Sequence, residues 1–144
     1  SSVLNKKLVD EKKMALQVFA GNNSQEDYGI YLIGGLPLGD TKLSDLTIEI
    51  DDEIEKLKSE LISERDFEKI QNIFESQYVS SNSTIQGIAN SLARYHVLYG
   101  DVNLINNEID IYRSVTREEI QEVAKLYLNK NQRLELKYLP KNNQ

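Results

Sequence analysis

Residues 14–37 read MALQVFAGNNSQEDYGIYLIGGLP: two apolar runs on either side of a polar stretch built from residues that tolerate turns. Met14 to Ala20 and Tyr28 to Leu36 carry the β-branched and aromatic side chains that suit a pleated, half-buried surface, and GNNSQED separates them. This pattern predicts a β-hairpin. The chain downstream has helical periodicity as far as Asn129, so the two strands are the expected platform on which helices bury their apolar faces.

Ahead of the hairpin, Leu4, Leu8 and Val9 lie at helical spacing among lysines, predicting a short amphipathic helix over 2–13. Beyond it, Pro37 and Gly39 break the strand, and Asp40 or Thr41 is expected to cap the next helix. That helix carries Leu43, Leu46, Ile50, Ile54, Leu57 and Leu61 on one face and DDEIEK on the other. Ser63 with Asp66 opens a third helix with the stripe Phe67, Ile70, Phe74 and Tyr78, interrupted at Ser80 to Ser83. A fourth, with Ile85, Ile88, Ala89, Leu92, Tyr95 and Tyr99, stops at Gly100, and Asp101 can cap a fifth carrying Leu104, Ile105, Ile109 and Tyr112.

Thr116 and Glu119 then form a capping box, with Val115 and Ile120 at the positions of a hydrophobic staple and Ile120, Val123, Ala124, Tyr127 and Leu128 as the stripe of a sixth helix. Asn129 to Gln132 turns the chain, and Leu134, Leu136 and Tyr138 alternate with Glu135 and Lys137 in a last predicted strand ending at Pro140. The expected fold class is α+β, two-layered, with a mostly antiparallel sheet of three strands and about six helices.

At 144 residues the chain has the length of one domain, and roughly 68–70% of the unfolded surface can be buried at that size. It has no cysteine, which removes disulfides, thiolate metal sites and cysteine nucleophiles and leaves the compartment open. The net charge of −6, with basic residues scattered along the predicted helices, argues against a nucleic-acid partner. No apolar run approaches the ~20 residues of a membrane span, and Ser1-Ser2-Val3-Leu4 enters a helical pattern without the form of a signal peptide. The expectation is a piece of a longer polypeptide.

Candidate chemistry is sparse. His96 is the only histidine, with no Asp or Glu within a helical turn, and reads as a partly buried aromatic filler rather than a catalyst. The acidic cluster Glu49, Asp51, Asp52, Glu53 and Glu55 lacks the glycine turn that converges calcium ligands and reads as a solvated helix face. Gly34-Gly35 fits no phosphate-loop pattern and points to close strand packing or a bulge. Asn22-Asn23-Ser24 and Asn82-Ser83-Thr84 match glycosylation spacing only, and no serine lies in a nucleophile elbow. No catalytic, cofactor-binding or metal-ligating residue is assigned.

Several strings resemble the later part of a domain of the insulinase/pitrilysin family of zinc peptidases, which includes mitochondrial processing peptidases and many bacterial zinc proteases. They are Ser2-x-Leu4 leading into Leu8-Val9-Asp10-Glu11-Lys12-Lys13-Met14-Ala15, the hairpin, ISERDFEKIQN from Ile62, and SVTREEIQEVAKLYLNKNQRLELKYLP from Ser114 to Pro140. The resemblance implies one of two or four related domains that close around a peptide, with zinc held in another domain by an inverted H-x-x-E-H motif. That motif is absent, so the chain (1–144) is expected to be a partial, non-catalytic, C-terminal-type domain lacking its opening strand and helix.

The non-catalytic half often carries an Arg and, seven residues later, a Tyr that hold substrate near the metal. The matching positions are Val9 and Leu16, whose side chains donate no hydrogen bond. The implied cofactor is zinc in the parent protein and none in this fragment. The implied partners are the remaining domains of the same polypeptide and a peptide substrate; loss of the opening strand leaves a sheet edge or apolar face uncovered and predicts a homodimer of the fragment, and a periplasmic or secreted parent is favoured with a cytoplasmic one as the alternative.

Overall fold

The computed structural model describes residues 3–139, whose contacts gather into two compact units: residues up to Ser59 with those from Val123 onward, and Glu60–Glu122. In the first unit a short helix α1 (Val3–Asn5) continues into a π-helical turn over Lys6–Glu11. The helix is wider and shorter than the periodicity predicts. The Lys12 N–H reaches the Lys7 carbonyl, the Met14 N–H reaches the Leu8 carbonyl, and Lys13 adopts a left-handed φ of 51°. That left-handed residue turns the chain out of the helix and straight into the first strand.

The hairpin pairs β1 (Ala15–Ser24) with β2 (Gly29–Pro37), antiparallel, in the register Gln17 with Leu36 through Ser24 with Gly29. Its strands run further than the composition suggests. Residues 21–24, expected in the turn, are in the ladder, and the connection shrinks to residues 25–28, closed by the Gln25 N–H on the Tyr28 carbonyl. Leu16 is the extra residue of a bulge between Ala15 and Gln17. The bulge makes the buried positions of β1 three apart, Ala15 and Val18, where an unbroken strand would space them by two.

Helix α2 (Leu43–Ser59) packs Leu46 against the hairpin. The Lys42 carbonyl accepts from the Leu46 N–H at its start, so the helix begins one residue past the expected caps Asp40 and Thr41. Leu8, Ala15, Val18 and Leu46 form the buried core, with Leu4, Val9 and Ile50 packed around it. A Cβ on Gly35 would lie 2.8 Å from Leu46 Cδ2, and one on Gly34 would enter the Phe19 ring. The glycine pair lets a helix side chain and a strand side chain lie directly on the backbone, the close packing expected of it.

The third predicted strand does not form. Residues 133–139 have no ladder partner, and the sheet among the described residues is the two-stranded hairpin alone. Alternation gives a segment two faces, but a strand also needs an edge to pair with, and here Arg133 is held by Asp51 and Glu135 by Thr47 on α2 instead. Pro140 lies outside the described residues.

The second unit is helical: α3 (Glu64–Ser81), α4 (Ile85–Tyr99) and α5 (Leu104–Ser114), followed by the start of α6 (Arg117–Tyr127). Ser63 Oγ accepts the Asp66 N–H, Gly100 closes α4 at φ 68°, and Thr116 and Glu119 exchange both bonds of the capping box. Asp101 accepts the Asn103 N–H in the loop, so α5 starts later than a cap at Asp101 would place it. Thr84, singled out by the sequence only for glycosylation spacing, caps α4 by accepting the Gly87 N–H.

The buried stripes are narrower than the apolar ones. Ile70, Ile85, Ile88, Tyr99, Val123 and Tyr127 are exposed, Ile85 at 89%. In α4 the covered face runs through Gly87, Ser91, Leu92 and Tyr95. It is fixed by the serine hydroxyl on Asn82, by Tyr95 on Glu108, and by Gly87, whose missing side chain admits the Ser81 carbonyl. Polar contacts and a glycine thus set the rotation of this helix, which apolar spacing alone misjudges.

Two substitutions test this packing in separate units. Gly35→Ala should destabilise by about 1–3 kcal/mol through overpacking against the buried Leu46, and Gly87→Ala by a similar amount or more because its obstacle is backbone. Gly21→Ala, with open space around it, should stay within about 0.5 kcal/mol of the parent in urea unfolding.

Candidate functional site

Val9 and Leu16 lie where the family resemblance expects a donor pair, and the fold uses both otherwise. Val9 is half-buried against the core of Leu8, Ala15, Val18 and Leu46. Leu16, the bulge residue, is 58% exposed and unpaired in the ladder. Neither side chain has a polar atom to offer a substrate.

The α2 carboxylates are not a uniformly solvated face. Asp52 and Glu55 are exposed, but Glu49, Asp51 and Glu53 lie at the border of the packed face and hold charged partners distant in sequence. Lys7 Nζ sits 2.5 Å from Glu53 Oε1 and 3.5 Å from Glu49 Oε2, Lys12 pairs with Glu49, and Lys56 reaches Glu53 at 3.0 Å. On the same helix Asp51 takes Arg133 and, at 3.1 Å, Lys130. The Lys12 hydrogen bond leads in holding Glu49 below the usual carboxylate range. For Asp51 and Glu53 burial pulls upward most strongly, yet the combined hydrogen bonds and charges of Arg133 with Lys130, and of Lys7 with Lys56, leave both below it. These carboxylates are engaged as anchors for the N-terminal helix and the 130–135 segment.

His96 corrects a second expectation. It is exposed on α4, where its carbonyl accepts the Gly100 N–H, and it fills no core position. Among the described residues no group of three or more His, Cys, Asp or Glu is placed to hold a metal ion. Asn82 is likewise committed: its amide donates to the Tyr78 carbonyl at 3.1 Å and accepts from Ser91 at 2.7 Å. A shallow groove with Lys69, Asn72, Ile73 and Ser76 on its wall is lined by α3 alone and encloses nothing.

The polar centre that the apolar stripes concealed is Glu108. Its carboxylate accepts the hydroxyl of buried Tyr95, the Tyr78 hydroxyl donates to the Ile105 carbonyl, and Phe74 stacks on Tyr112 with ring centroids 3.3 Å apart. Burial pushes the Glu108 carboxyl above its ordinary value despite the opposing charge of Arg94. Burial and the charge of Glu108 raise the Tyr78 and Tyr112 phenols in turn. One signal was legible: Glu108 lies one turn from both Leu104 and Tyr112, an acid inside an apolar stripe. The cluster ties α3, α4 and α5 together.

Residues 1–74 match the family model described as the peptidase M16 inactive domain. No curated protein matches the chain. Among solved structures, a protease from Helicobacter pylori superposes with a TM-score of 0.82 at 25% identity, over 92% of this chain and 32% of that one. The inactive peptidase domain of a candidate zinc protease from Bordetella parapertussis gives a TM-score of 0.82 at 22% identity, over 97% of this chain and 74% of that one. The periplasmic protease PqqL from Escherichia coli gives 0.69 at 16% identity, over 87% of this chain and 14% of that one. The chain thus spans about a third of the Helicobacter protease and about three quarters of the Bordetella domain.

Glu108 gives the second unit a signed pH dependence. With its folded pKa raised, the unfolded chain ionises first as pH increases, so stability falls as pH rises from the ordinary glutamate value through the folded one and is intact below both. Glu108→Gln keeps an acceptor for Tyr95 and removes the titration. Measured by urea unfolding, the variant should gain on the parent between pH 4 and pH 8, and parallel profiles would contradict the burial of this carboxyl.

Proposed function

Because the chain belongs to the peptidase M16 family through that family's inactive domain, we propose that it serves as a non-catalytic wall of a peptidase chamber, enclosing an unfolded peptide next to a zinc-bearing domain elsewhere in the parent polypeptide. The observation that carries this is the conjunction of the family match with a donor set that does not fit zinc. There is one imidazole, exposed on α4, no thiol in the sequence, and, among the described residues, no group of three or more acidic or histidine side chains placed to hold a metal ion. Catalytic zinc needs three converging protein ligands and an open position, and a single histidine cannot supply them.

Val9 and Leu16 carry the proposal one step further, from non-catalytic to non-assisting. With an aliphatic side chain in the core and another on a bulge, the role left to this domain is shape and contact rather than hydrogen bonding to substrate. The outer half of the hairpin supports that role, since Phe19, Ile30, Tyr31 and Leu32 are about half exposed and offer apolar surface to a neighbouring domain or an extended peptide. A structural subunit of the same fold is favoured over a chamber wall only where no zinc-bearing domain accompanies it. The fold shared with a periplasmic protease supports a periplasmic or secreted parent.

Metal analysis and a peptide-cleavage assay on the purified chain test the proposal. The expected result is well under one equivalent of zinc and no hydrolysis of an unfolded peptide, with His96→Ala changing neither. Stoichiometric zinc with cleavage that His96→Ala abolishes would overturn it.

A further inference from the structure

The buried and half-buried acids of the two units are partnered in opposite ways. In the first unit the carboxylates of α2 are held by cations. Glu53 has Lys7 at 2.5 Å and Lys56 at 3.0 Å, Glu49 has Lys12 and, at 3.5 Å, Lys7, and Asp51 has Arg133 and, at 3.1 Å, Lys130. Lys7 precedes the fully buried Leu8, so its two ion pairs fasten the turn that delivers this side chain to the core. In the second unit the central acid, Glu108 on α5, is partnered by a neutral phenol, the hydroxyl of buried Tyr95 on α4. Arg94 on α4, Tyr78 on α3 and Tyr112 on α5 are the other titratable groups that feel its charge. We infer that acid acts on the two units in opposite directions, opening the hairpin unit while the helical unit holds.

Protonating Glu49 and Glu53 strands Lys7, whose side chain is only 19% exposed, without a counter-charge. All three α2 carboxyls lie below their ordinary range in the folded chain, so the unfolded chain takes up protons first as pH falls. The stability they supply is complete above the ordinary carboxylate value of about 4 and is lost as pH drops through the folded values. For Glu108 the sign reverses. Burial raises its carboxyl, so the helical unit is most stable in acid and weakens as pH climbs past the ordinary value. The protonated form keeps an oxygen to accept the Tyr95 hydroxyl and has no charge to bury. The helical unit has one ion pair of its own, Arg113 on Glu75, and caps formed by Asp66 and Glu119, but these face solvent and their loss in acid costs little. Because contacts gather within each unit, the two can open separately.

Hydrogen exchange on the 144-residue chain, read by mass spectrometry at about pH 3, 5 and 7 and corrected for the pH dependence of intrinsic exchange, tests the inference. One unit of net carboxyl shift is a factor of about ten in the opening equilibrium. Protection of amides in β1, β2 and α2 should therefore fall at least about tenfold from pH 7 to pH 3, while that of α4 and α5 holds or rises. Glu49→Gln with Glu53→Gln removes two of the titrations. It should start with a less protected hairpin unit and shrink the acid loss there at least about threefold, with α4 and α5 unmoved. Equal losses in both units on acidification overturn the inference, as does a hairpin unit whose protection does not change. An acid loss that the double variant leaves intact also overturns it, and the parent series decides the matter should that variant not fold.

Discussion

The first unit depends on the contact between Leu46 and the bare backbone of Gly35. A leucine methyl can reach a strand this closely only where no Cβ stands in the way, and that approach brings α2 down onto the hairpin. Once α2 is placed, its flanks come within reach of both ends of the chain. Lys7 and Lys12 from the N-terminal helix meet Glu49 and Glu53, and Lys130 and Arg133 meet Asp51. Apolar packing sets the distance, and the ion pairs set which segments lie alongside. Exposed pairs are each worth about 0–1 kcal/mol; these are partly shielded and networked, so removing one partner strands a half-buried charge and costs more than that.

This use of charge bears on function. A zinc peptidase domain needs acidic and imidazole side chains that converge on an ion and leave one position open. Here the carboxylates at the border of the packed face of α2 are already neutralised by lysine and arginine, and in the helical unit Glu108 is occupied by a tyrosine hydroxyl. With Val9 packed on the core and Leu16 on a bulge, the half-buried carboxylates of α2 and Glu108 hold the chain's own elements.

Much of this was legible beforehand, and the reasons differ by element. The hairpin, the six helices, the Ser63 and Gly100 ends and the Thr116–Glu119 box follow from local chemistry within a few residues, which a sequence displays directly. Periodicity marks the α2 carboxylates as solvent-facing because it carries no sign of partners 37 to 82 residues away. The rotation of α4 escapes apolar spacing because a glycine and two hydrogen bonds, not the isoleucines, choose its buried face. Alternation over-predicts the last strand for the opposite reason: it describes the two faces of a segment, while pairing depends on what lies at its edge. The sequence neighbours of His96 suggest a partly buried position, but its exposure depends on which way the helix turns.

The central claim, that the α2 carboxylates are structural anchors and not vacant ligands, is tested most directly by a double-mutant cycle on Lys7 and Glu53. The two side chains are 19% and 12% exposed and 2.5 Å apart. Chemical denaturation of the parent, Lys7→Ala, Glu53→Ala and the double variant should return a coupling of about 1 kcal/mol or more. Single-variant effects that add within about 0.3 kcal/mol would contradict it, because the carboxylate would then be idle in the folded chain.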